Sequence, residues 1–205
     1  VDKRHTPRRI AVVVYDGFDE LDAIGPFEVF SNARRLGVSW EVSLVTREEQ
    51  DVVTGTHGLQ LVPSGRLRHD HDLIVVPGGA WDGREAVGAW GEAERGHLPR
   101  AIAEAHGRGS LVASVCSGAM LLAAVGLTAG RPAVTHDGAM DDLARSGAII
   151  VQARVVDDGD IVTSGGVTAG IDMALWLVER CVNGELADRI ARVMEHRRDA
   201  EIVHP

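Results

Sequence analysis

The sequence predicts an α/β fold, a single doubly wound domain in which a mostly parallel sheet carries helices on both faces. Three observations predict it. Short β-branched runs alternate with longer stretches of helical apolar spacing, the rhythm of strand–helix–strand units. The 205 residues suit one domain, and a chain of that size buries about 70% of its unfolded surface without disulfide staples. No linker, internal repeat or low-complexity stretch interrupts the alternation.

Taken in order, residues 1–9 read as a flexible N-terminal segment, 10–196 as the domain and 197–205 as a polar tail expected to fray. Ile10 to Tyr15 is a continuous apolar run of the kind buried on both faces of a sheet. Glu20 to Leu36 has helical spacing, with Gly25-Pro26 expected to kink or restart the helix. Trp40 to Val45, Leu73 to Val76 and Leu111 to Val115 read as further strands, the last of them central. Leu98 to His106 is an amphipathic helix closed by Gly107 and Gly109. Gly118 to Val125 reads as a buried helix of small residues. Ile149 to Val156 and Asp160 to Thr163, joined by Asp157-Asp158-Gly159, read as a hairpin. Val167 to Cys181 is the most apolar helix. Glu185 to His196 is a final amphipathic one, set off by Asn183-Gly184.

Composition excludes several function classes. Apolar residues make up 45% and charged residues 25%, as in soluble globular proteins and unlike collagen, long disorder or coiled coil. A net charge of −9 works against binding bulk nucleic acid or an anionic membrane surface. No apolar run is long enough to span a bilayer. The short one after the basic start ends at Asp16, Asp19 and Glu20 and lacks a small-residue cleavage site, so no signal peptide is expected. Two cysteines, Cys116 and Cys181, suit a reducing cytoplasm.

The sharpest chemical signal is Ser114-Val115-Cys116-Ser117-Gly118, a small–x–nucleophile–x–small pattern between an apolar strand and a small-residue helix. Such a strained elbow lifts a nucleophile to the top of the sheet. The helix N-terminus that follows is expected to lower the thiol pKa. Packing is the alternative for any free cysteine, and it is the reading for Cys181. Ser114 and Ser117 lie off the elbow centre. Pro77-Gly78-Gly79 ends a strand with two glycines, which would let amides approach a ligand as an oxyanion hole requires. Ser164-Gly165-Gly166 with Gly170 is similar, and no dinucleotide or phosphate-loop motif is present. Of the acids Asp16, Asp19, Glu20 and Asp22, some must cap the next helix. Asp22 stands inside it, on a face that spacing alone leaves open. His69-Asp70-His71-Asp72 reads as a solvated turn rather than a metal site. His136 is either a pocket residue or a cap.

These residues resemble the ThiJ/PfpI superfamily, the group that includes the parkinsonism-associated deglycase and is related to class I glutamine amidotransferases. The resemblance rests on Asp16-Gly17, Leu21-Asp22, Gly25-Pro26-Phe27-Glu28-Val29-Phe30, Pro77-Gly78-Gly79, Ser114 to Ala119, Thr135-His136 and Thr163 to Asp172. It implies a flavodoxin-like fold, a homodimer, no cofactor or metal, and a small-molecule substrate. It also implies that Cys116 is the nucleophile, Asp22 its acid, and Gly79 and Ser117 donors of backbone amides. Gly78, His136, Gly165 and Gly166 would line the pocket. Aspartate at the acid position is similar to the isonitrile hydratases, whereas the deglycases carry glutamate. The peptidase branch places histidine after the cysteine, where this chain has Ser117. Hydration of an isonitrile to an N-substituted formamide is therefore the activity implied. The alternatives are a small-molecule or redox sensor like the ligand domain of AraC-type regulators, and deglycase- or glyoxalase-like action on aldehydes. The stretch after Arg197 is too short for the DNA-binding region of such regulators.

Overall fold

In the computed structural model, residues 7–204 are described. Twelve strands follow in chain order: β1 (Arg9–Val13), β2 (Glu41–Thr46), β3 (Val53–Thr54), β4 (Gln60–Leu61), β5 (Gly65–Arg66) and β6 (Leu73–Val76), then β7 (Leu111–Val115), β8 (Pro132–Ala133), β9 (Ile149–Ile150), β10 (Val155–Asp157), β11 (Ile161–Ser164) and β12 (Ile202–Val203). Eight form the central sheet in the order β12-β10-β11-β7-β6-β1-β2-β5. The strands from β11 to β5 run parallel, and β10 is antiparallel to β11. The runs that are apolar at every position sit in the middle. All of β6, and β1 from Ile10 onward, are buried, as a sheet covered on both faces requires.

Seven α-helices cover the sheet: α1 (Glu20–Arg35), α2 (Ala89–Arg95), α3 (His97–Gly107), α4 (Gly118–Ala123), α5 (Met140–Arg145), α6 (Ala169–Cys181) and α7 (Gly184–Val193). Helices α1, α6 and α7 pack on one another, while α2 to α5 form a separate group. The close approach of α1 to α6 is built on glycine. A Cβ on Gly25 would stand 3.1 Å from Ile171 Cγ1, and one on Gly170 would stand 3.3 Å from Pro26 Cγ and 3.0 Å from Val115. That contact brings the second turn of α1 to the end of β7.

Several expectations need correction. Helix α1 does not restart at Pro26, which lies inside it and is buried. Only the ladder bond from residue 26 is lost, and the ring fills the space that Gly170 leaves open. The predicted hairpin holds for β10 and β11, but Ile149–Ile150 is a separate strand that pairs with β8. The tail does not fray. Ile202 and Val203 pair with β10, and His204 stacks on Trp176 with ring centroids 5.1 Å apart. Two β-branched residues on an open sheet edge are enough to add a strand there. Strand β1 begins at Arg9, with the Arg8 and Arg9 amides on the Asp72 carboxylate. Residues 1–6 of the expected flexible segment lie outside the described residues.

Candidate active site

Strand β7 ends at Val115, and Cys116 turns the chain into α4 with φ +58°. A non-glycine residue there is strained and persists only where its surroundings fix it. Here both backbone groups are held. The Cys116 N–H donates to the carbonyls of Gly165 (2.9 Å) and Ser164 (3.2 Å), and the Thr135 hydroxyl donates to the Cys116 carbonyl at 2.7 Å. The turn fits under β6 because its neighbours are small. A Cβ on Gly118 would overlap the Val76 carbonyl, and one on Gly78 would lie 2.5 Å from both Ser117 N and its hydroxyl.

Opposite the sulfur lies Asp22, 0% exposed. The Gly78 N–H donates to its Oδ2 at 2.9 Å, while Oδ1 has no hydrogen-bond partner. Burial, and then the charge of Asp19, push the Asp22 carboxyl up to about 8. The Gly78 amide, then the Cys116 thiol and the Val167 amide, favour the ionised carboxyl and only partly offset this. Burial, and then Asp22, push the Cys116 thiol up to about 12. This corrects the expected low thiol pKa. The amides of Ser117 and Val167 do favour the thiolate, but α4 is short and the sulfur is shut away from water beside a carboxyl.

The two glycine motifs come to this pair by different routes. The Gly79 N–H is already donated to the Ser117 hydroxyl at 3.0 Å and the Gly78 N–H to Asp22, so neither amide is a free donor. Gly79 (φ +134°) admits no side chain, since a Cβ would meet the Asp19 amide at 2.6 Å. Tyr15 braces the loop, its hydroxyl donating to the Pro77 carbonyl at 2.7 Å. Gly165 contributes its carbonyl to Cys116. Gly166 lies against His136, whose ring Nδ1 accepts from the Gly138 N–H at 3.1 Å and so caps a single 3-10 turn.

The remaining candidates stand elsewhere. Asp19 caps α1 by accepting from the Leu21 N–H, Asp16 accepts from the Thr54 N–H, and Glu20 accepts from the amides of His57 and Leu59. The His69–Asp72 segment makes separate bonds to Arg8, Arg9 and Arg68. Cys181 closes α6, half-buried. Among the described residues, no group of three or more His, Cys, Asp or Glu is placed to hold a metal, and no helix is long and apolar enough to cross a membrane. Sequence reasoning missed the Val167 amide, which favours the ionised forms of the pair, and Thr135 as the brace of the elbow. A β-branched residue at φ +44° leaves no mark in sequence.

A cysteine on a strained strand-to-helix turn of a doubly wound sheet, faced by a buried carboxyl, defines the elbow-cysteine α/β proteins. The chain belongs to the DJ-1/PfpI family, whose profile matches residues 8–180. It is 35% identical over 190 residues to an isonitrile hydratase of Pseudomonas putida, covering 92% of this chain and 78% of that protein. It is 28% identical to the Parkinson disease protein 7 homolog of Danio rerio, over 89% of this chain and 94% of the relative. A deglycase of Pyrococcus abyssi is also 28% identical, over 76% of this chain and 89% of the relative. Among solved structures, a ThiJ/PfpI family protein from Pseudomonas syringae superposes with a TM-score of 0.83 at 31% identity, over 94% of this chain and 76% of that one.

Proposed function

We propose that the protein hydrates an isonitrile, R–N≡C, to an N-substituted formamide, with Cys116 as nucleophile and Asp22 as proton carrier. The observation that carries this reading is the buried Asp22–Cys116 pair. An acid raised to about 8 still holds its proton at neutral pH, which is what protonating the isonitrile carbon requires. Aspartate at that position and the 35% identity to an isonitrile hydratase support the same substrate class.

The reaction balances with these two groups and water. Asp22 gives its proton to the terminal carbon as the sulfur attacks that carbon, and the thiol proton passes to Asp22. This forms the thioimidate R–N=CH–S–Cys116. Asp22 then gives that proton to the imine nitrogen and takes one from a water whose oxygen adds to the same carbon. The adduct R–NH–CH(OH)–S–Cys116 loses its C–S bond as the carbonyl forms. The hydroxyl proton returns through Asp22 to the sulfur and frees R–NH–CHO. The Ser117 and Val167 amides stabilise charge on the sulfur, in place of the Gly79 amide. His136 and Gly166 bound the pocket.

The test is a panel of isonitriles and 2-oxoaldehydes, with formamide and hydroxyacid followed by NMR. Formamide from isonitriles alone is the expected result. Hydroxyacid formation would assign the protein to the aldehyde branch, and no turnover at all would favour a sensor. The same proposal places the protein in a reducing cytoplasm as a homodimer joined across the start of α1. Leu21 and Leu59 are exposed there, on either side of Glu20. Sedimentation at micromolar concentration is expected to give twice the chain mass. A monomer would remove the dimer from the proposal.

A further inference from the structure

The loop Gly165–Thr168 joins β11 to α6 beside the Cys116–Asp22 pair, and one residue outside the loop grips it at both ends. That residue is Arg154, immediately before β10. Its carbonyl accepts from the Gly165 N–H at 3.0 Å, and its Nη2 donates to Thr168 Oγ1, also at 3.0 Å. Its Nε donates to Asp172 Oδ2 at 2.6 Å, in the first turn of α6. Asp172 is buried, and its Oδ1 is 2.7 Å from His196 Nε2, so the half-exposed guanidinium is anchored on a fixed carboxylate.

Between the gripped ends stands Val167 at φ +44°. Such backbone costs about 1–3 kcal/mol and persists only where surrounding contacts over-determine it. The Ser164 and Gly165 carbonyls also hold the Cys116 N–H, so loop and elbow form one backbone unit. We propose that Arg154 is a positioning residue: locked on Asp172, its planar fork holds Thr168 and fixes the strained loop whose Ser164 and Gly165 carbonyls hold the Cys116 elbow, so that the Val167 amide stays beside Cys116 and Asp22. A guanidinium can bond a carboxylate and a hydroxyl at once in fixed directions, which a lysine ammonium does not do. The inference concerns the acidity of the pair and stands whichever electrophile meets it.

The experiment uses the full chain carrying Cys181→Ser, so that one thiol is read, and follows iodoacetamide alkylation against pH. Thr168→Val and Arg154→Lys both keep the positive charge while breaking the side-chain bond to Thr168, and the Arg154 carbonyl still holds the Gly165 N–H. Asp19 and Tyr15, the other titratable groups close to the pair, are untouched. Both variants are expected to slow alkylation by about tenfold at each pH from 7 to 9, through loss of a donor to the thiolate. Slowing confined to Arg154→Ala would be a plain charge effect and would overturn the proposal. So would a lowered melting temperature in Arg154→Lys and Thr168→Val with no change of alkylation rate. If the arginine variants fail to fold, Thr168→Val decides alone.

Discussion

Cys116→Ala and Cys116→Ser are expected to lose isonitrile hydration, by on the order of 10⁴-fold or more, while the chain stays folded. Alanine removes the sulfur that the proposed reaction bonds to the isonitrile carbon. Serine keeps the shape of the elbow, and its backbone bonds to Gly165 and Thr135 remain available. Its hydroxyl, however, is far less acidic than a thiol and needs a strong base beside it. Asp22 is no such base, because burial keeps it protonated at neutral pH. Both variants should also lose the Cys116 share of iodoacetamide labelling, leaving only Cys181 to react, a half-buried thiol pushed up by burial. The checks are formamide formation by NMR, the circular dichroism melt and the labelling rate. Substantial turnover by Cys116→Ser would move the chemistry to another residue.

The legible parts of this molecule were those decided by neighbours in sequence. Ile10–Val14 and Leu73–Val76 announced central strands because burial on both faces demands an apolar residue at every position. The elbow was legible because Gly118 has no room for a Cβ beneath Val76. Asp22 was only half legible. Its place on α1 was plain, but its inward face depends on Gly25 and Gly170 letting two helices meet. The thiol acidity was misread because a local reading counts the helix N-terminus and cannot see a carboxyl brought in from α1. The Gly79 amide was misread for a similar reason, since its acceptor, the Ser117 hydroxyl, lies 38 residues away. Helices α2 and α5 were missed. They have seven and six residues, too few for periodicity to show.

Asp22→Asn is expected to fail in catalysis and gain in stability, a combination that a merely structural role does not produce. The asparagine carbonyl can still accept from the Gly78 N–H, but the side chain carries no proton to deliver to carbon. Hydration should fall by about 10²–10⁴-fold, the usual contribution of a general acid, while Cys116 stays open to alkylation. The stability change follows from the raised carboxyl. In the unfolded chain the aspartate releases its proton near 3.9, whereas in the fold it holds it up to about 8. The folded state therefore binds more protons than the unfolded one throughout that window, and wild-type stability falls as pH rises across it. Below the unfolded value there is no loss, and above the folded value no further loss accrues. Asparagine does not titrate, so its advantage should grow from pH 5 to pH 8, by on the order of 2–4 kcal/mol. Urea unfolding of both proteins at the two pH values measures it. If the advantage is flat with pH, the carboxyl is not held protonated in the fold. If it grows but hydration runs at the wild-type rate, Asp22 is buried and neutral yet moves no proton, and the proposed mechanism fails even with Cys116 essential.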